Sequence, residues 1–316
     1  MTLPRHNVFV SVAGPAAGAL VAVCFSLAAG CGPSSSGPVR ERLVFGSHGY
    51  TAGKFHRPRG LAWDEPGGFV YVVDWAGRVQ KFTTNGEFRA SWRMPDIEVG
   101  KPEDLCVAPD GRVLIADTHY SRILEYTPDG KHVGGFGRYG RGPGEFIYPV
   151  GIACDSNGCL YVTEYGENDR VQKFDRQGHF LMAWGSFGSG PGQFQRPSGL
   201  EVAGDRVYVA DAVNHRIQVF DLEGALVQTI GKQGSEPGLL RYPYDVAVKG
   251  GFLYVLEYGN QRIQKFTLAG EPVETLGRPG SGPGGLASPW RCVRVGDSIS
   301  VSDTENHRVV VLEPGF

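Results

Sequence analysis

From Arg42 onward, apolar residues come in short runs bounded by Gly, Pro, Asp and Asn, and nowhere at the three-to-four spacing of an amphipathic helix. Four runs in succession show the pattern plainly: Ser198 to Ala203, Arg206 to Asp211, Arg216 to Phe220 and Ala225 to Ile230. Tight turns separate them, so they predict four antiparallel strands. The second and third runs are apolar at both parities, as expected of strands packed on both faces. This unit recurs six times. Each copy has a Pro (58, 102, 149, 197, 243, 289), then an acid ending the second strand (Asp74, Asp117, Glu164, Asp211, Glu257, Asp303). An arginine follows (78, 122, 170, 216, 262, 308), and successive arginines lie 44, 48, 46, 46 and 46 residues apart. A four-stranded unit at a period of about 40–50 residues is the signature of a propeller blade.

The repeated wording is specific. Phe187 and Gly188, the Gly190-Pro191-Gly192 turn, Phe194 and Pro197 lead to Tyr208 through Asp211, and then to Asn214, His215 and Arg216. This pattern resembles the NHL repeat, in six copies over residues 42–316. The resemblance implies an all-β fold, a six-bladed β-propeller of four-stranded antiparallel blades. The ends fit a closed ring. Residues 308–312 supply a third strand with no fourth after it, while residues 42–45 supply a strand with no blade before it. Pairing them completes the last blade and removes two exposed edges.

The first 41 residues differ in character. Residues 8–30 are uncharged and mostly Val, Ala, Leu, Phe and Gly, behind Arg5, the order of a secretory signal. Leu27 to Cys31 resembles a bacterial lipobox with Ala28 in the usual Leu place, so Cys31 is expected to be lipidated, with residues 31–41 a flexible spacer. The protein is then exported, anchored through lipid and displayed as a monomer in the cell envelope. Export permits disulfides. Cys154 and Cys159 flank the turn 155–158 and are expected to pair, with Cys106 and Cys292 as small buried apolar residues. With 31 Lys and Arg against 33 Asp and Glu, there is no basic face for nucleic acid.

In a repeat protein, a feature found in every blade belongs to the scaffold, and a site requires a difference between blades. The six acid–arginine pairs are therefore structural. The residues following each Pro do differ, and they start the inner strands around the axis on the face carrying the long loops. Arg59, Glu103, Asp104, Tyr244, Asp245, Trp290 and Arg291 are the candidate ligand-binding residues of this channel mouth, with Trp75, Tyr165 and Tyr258 on outer loops. The plain alternative is that these charges neutralise one another. The opposite face carries only tight turns. His119, His215 and His307 recur in alternate blades but start third strands, too far from the axis to share a metal, and are expected to be solvent-facing. Peptidyl-amidoglycolate lyases, which resemble this fold, hold zinc on histidines directly after the motif Pro. Those places here are Arg59, Val150 and Tyr244, or Glu103, Ser198 and Trp290, none of them His. Neither cofactor nor catalytic residue is expected. Glu103, Asp104 and Asp245 offer three carboxylates of the kind calcium takes, but Arg59 and Arg291 compete for them, and nothing in the sequence supports a Ca or Zn ion in the channel. The expectation is a non-enzymatic propeller binding an envelope protein, peptide or polar small molecule. A metal-dependent lyase or lactonase-like hydrolase at the mouth is the alternative.

Overall fold

The structure is a computed structural model and describes residues 41–315. The signal segment and Cys31 lie outside the described residues. Six four-stranded antiparallel sheets follow one another along the chain. Inner strands start at the motif prolines, as in Pro58–Asp64, Pro197–Ala203 and Pro243–Lys249. Among the described residues the one helical element is the short 3-10 turn Thr118–Tyr120.

The ring closes as the strand pattern predicts. Glu41–Phe45 pairs antiparallel with Arg308–Leu312, setting Leu43 against Val311, Val44 against Val310 and Phe45 against Val309. The core lies between blades rather than within them. Val44 packs with Leu256, Ile263, Ile299 and Val310 on the blade five side. Phe45 packs with Phe55, Val70 and Phe82 of blade one. Period-two alternation in one strand thus joins the last blade to both its neighbours.

All six acid–arginine pairs form, at 2.6–2.9 Å, with the acid side chains 0–1% exposed. Burial of such a pair requires that its remaining donors be satisfied. In blade four, Arg216 also donates to the Gly190 and Gln193 carbonyls at 2.8 Å, holding the glycine-rich entry loop. Blade two lacks the Gly-Pro-Gly turn, and its Arg122 turns instead to Asp96 at 2.7 Å. A glutamine two residues after the arginine repeats the loop contact. Gln218 accepts from Gly192 N–H and donates to Gln193 O, and Gln264 does the same with Gly238 and Leu239.

Two expectations are corrected. His215 and His307 are not solvent-facing: each accepts, at Nδ1, the backbone N–H of the residue before the next blade's proline. Tyr242 donates to His215 at 2.9 Å and Arg57 to His307 at 3.1 Å. Tyr242 and Arg57 sit at φ of 48° and 55°, a strained left-handed geometry that this bond helps to hold. At the blade three–four boundary Asp169 does the same for Arg196, at 2.6 Å. These histidines are bolts between blades. Nor do Cys154 and Cys159 pair; both are free thiols. The residue opposite Cys154 is Leu160, so Cys159 points to the other face of the sheet. Cys154 packs toward blade two, donating to the Val107 carbonyl at 3.2 Å beside Cys106, whereas Cys159 packs toward blade four.

Candidate functional site: the axis of the ring

The seven mouth residues named from sequence do converge, as a plug. Arg291 starts from blade six and reaches across the axis. Its guanidinium lies 3.1 Å from Asp104 Oδ2 of blade two. It donates to Val150 O at 2.6 Å, Ser198 Oγ at 3.1 Å and Tyr244 O at 3.1 Å, in blades three, four and five. It is 1% exposed. Asp104 also accepts from the Leu105 and Ile152 amides, and Asp245 from the Cys292 amide at 2.8 Å. Burial pushes the Asp104 carboxyl up to about 6 against the opposing pull of Arg291, and it pushes Asp245 well above the usual carboxylate range.

A second layer covers the first. Arg59 pairs with Glu103, and its guanidinium stacks 3.6 Å from the Trp290 ring centre and 4.9 Å from that of Trp75. Tyr244 stacks on Tyr258 at 4.6 Å, with Trp290 set edge-on to both. Arg59, Asp104, Tyr244, Asp245 and Arg291 are buried, leaving Glu103, Trp75, Tyr165, Tyr258 and Trp290 half-buried around them. The exposed Arg196 guanidinium lies 5.2 Å over Tyr165 and 6.0 Å over Tyr244. The upper surface is thus a shallow aromatic platform beside the exposed Arg196, not an open channel.

The open space is on the opposite face. Below the plug lies a cavity of about 170 Å³ lined by Cys106, Ile152, Leu200, Glu201, Asp245 and Cys292. It meets a vestibule of about 590 Å³ bordered by Trp63, Glu65, Asp110, Asp155, Glu201 and Arg294. The face expected to carry only tight turns therefore carries the larger opening. Glu201 is not among the residues expected from sequence, though a signal is present there. It stands four residues after its Pro, where the other blades carry Ala62, Cys106, Ala153, Ala247 and Val293.

Burial pushes the Glu201 carboxyl up to about 7; Arg294 opposes this and Asp104 adds to it. Its folded pKa exceeds its unfolded value, so its contribution is fully present below about 4.5 and is lost as pH rises through 7. Glu201→Gln should therefore melt roughly 3–5 °C above the parent at pH 8 and level with it at pH 4. Paired thermal melts at the two pH values check this. Equal melting at pH 8 would show that the carboxylate is fully hydrated.

Comparisons with known proteins agree with the architecture. The NHL repeat family matches residues 194–220 and 240–266, parts of blades four and five. A streptogramin B lyase structure superposes with a TM-score of 0.60 at 16% identity, covering 87% of this chain and 88% of that one. Virginiamycin B lyase from Staphylococcus aureus gives 0.59 at 18% identity, over 82% and 81%. A gluconolactonase from Xanthomonas campestris gives 0.61 at 15%, over 83% and 88%. At these identities the likeness is one of fold.

Proposed function

Starting from a chain that is an NHL-repeat six-bladed β-propeller, we propose that it is a non-enzymatic binding protein of the cell envelope, held there by a lipid on Cys31. Its ligand lies on the aromatic platform over the channel mouth and is a sugar or a peptide end. The observation carrying this reading is the position of Arg291. It bonds to four other blades and closes the neck, so the mouth presents ring faces and Arg196 rather than a reaction chamber. Ring faces offer apolar area with little side-chain entropy to lose, and Arg196 adds a donor for carboxylate or hydroxyl groups.

The same arrangement bears on the alternative of a metal-dependent lyase or lactonase-like hydrolase at the mouth. Such a site requires carboxylates free to converge on the ion. Asp104 is engaged by Arg291 and backbone amides, Asp245 by the Cys292 amide and Glu103 by Arg59, so these residues do not fit a mouth metal as they stand. The test is an array of envelope glycans and short peptides probed with the parent, Trp290→Ala and Arg196→Gln. Trp290→Ala should lose at least about tenfold in affinity for whichever probe binds, as for a buried aromatic anchor. Equal binding by both variants would place the ligand elsewhere.

A further inference from the structure

Three histidines meet where the ring closes. His48 lies in the entry loop of blade one, His56 two residues before its Pro58, and His307 directly ahead of the blade-six strand Arg308–Leu312. One nitrogen from each can be chosen so that all three lie within 4.8 Å of one another. The His48 and His307 ring centres are 4.5 Å apart, and His56 sits 5.9 Å and 6.1 Å from them. His56 Nδ1 is buried and has no hydrogen-bond partner. The other blades serve as an internal control. The corresponding places at the blade four–five boundary hold His215, Gln233 and Arg241, and those at the blade five–six boundary hold Gln261, Pro279 and Ala287. At the blade four–five boundary His215 alone is the scaffold bolt, so the additional pair His48 and His56 is particular to the closure.

We propose that His48, His56 and His307 form a binding site for a first-row divalent ion of the zinc class, which clips blade one to blade six. Three imidazoles suit Zn, Co, Ni or Cu(II) and leave a fourth position for water. A tetrahedral ion with Zn–N bonds near 2.0–2.1 Å holds its nitrogens about 3.3 Å apart. The rings therefore close in by roughly an ångström, and the exposed His48 is the one free to move. The cationic neighbour Arg57 is engaged by Glu305 at 3.2 Å. His307 accepts the Arg57 amide at Nδ1, which places its ring proton on Nε2. An ion at Nε2 moves that proton to Nδ1 and breaks the Arg57 bond, which weakens the site relative to a preformed three-histidine centre.

The test uses the full chain without a histidine tag, stripped of metal. Titration with Co²⁺ should produce visible d–d absorption at one ion per chain, removed by Zn²⁺. Zn²⁺ in roughly hundredfold excess over Kd should raise Tm by several degrees. His48→Ala and the bulk-preserving His48→Gln should lose both responses while keeping the metal-free Tm within about 1 °C, since His48 is exposed. Absence of Co²⁺ absorption in the parent overturns the proposal. So does a Zn²⁺-dependent rise in Tm that survives in both variants, which would point to the channel thiols.

Discussion

Arg291→Met should lower stability by about 3–5 kcal/mol, a fall of roughly 10 °C in Tm. The loss comes less from the bonds removed than from what they leave behind. Asp104 and Asp245 would face each other across a closed neck without a counter-charge, and the Val150 and Tyr244 carbonyls would lose a donor. The pH dependence separates these two contributions. Both carboxyls already titrate above their unfolded value, Asp104 at about 6, and removing Arg291 raises them further. Groups with raised folded pKa values stabilise below the unfolded pKa, near 3.8, and lose that contribution as pH rises through the folded value. The deficit of Arg291→Met should therefore be largest at pH 8 and shrink toward pH 4. Adding Asp104→Asn to Arg291→Met should recover part of it at pH 8 and little at pH 4. Urea unfolding of the single and double variants at both pH values measures this. A single variant within about 0.5 kcal/mol of the parent at pH 8 would mean that water replaces the guanidinium at no cost.

The blades could be read from the chain because their grammar is local and repeated. A Pro that starts an inner strand, an acid that ends the next strand and an arginine a short loop later recur six times, and each pair forms. Features set by parity or by side-chain direction were harder to read. Cys154 and Cys159 sit symmetrically about a turn in the sequence, yet Cys154 lies opposite Leu160, and that single step places the two thiols in different interblade layers. The seven mouth residues were found from their differences between blades. Whether they open or shut the neck depended on Arg291 pointing across the axis rather than out of it, a choice of rotamer with no trace in a linear pattern. Glu201 was passed over for a related reason. The fourth place after the Pro was treated as interior strand, and its side chain lines the cavity below the plug.

A chain beginning at residue 46 should lose more than any point substitution, because it lacks the strand Glu41–Phe45. Three contributions disappear together. The ladder to Arg308–Leu312 is lost, leaving Val309 to Leu312 as an open sheet edge. Val44 and Phe45 leave the layers facing blades five and one, and burial of a Val and a Phe is worth about 1.5–3 kcal/mol each. Phe45 also sits 5.0 Å from the Phe82 ring and 6.4 Å from Phe55, so its removal opens the packing of blade one as well. Glu41 additionally accepts the Gly284 amide at 2.8 Å, holding the last entry loop. The expected result is a Tm lower by at least about 10 °C than that of a chain starting at residue 41. Concentration-dependent oligomers should accompany it as open edges recruit strands from other copies. Scanning calorimetry with light scattering on the two chains decides the matter. Equal melting as monomers would show that six three-dimensional contacts between neighbouring blades hold the ring without its closing strand. Restored melting on adding a synthetic peptide of residues 38–47 would show the converse, that the propeller is complete only when its first strand is seated in its last blade.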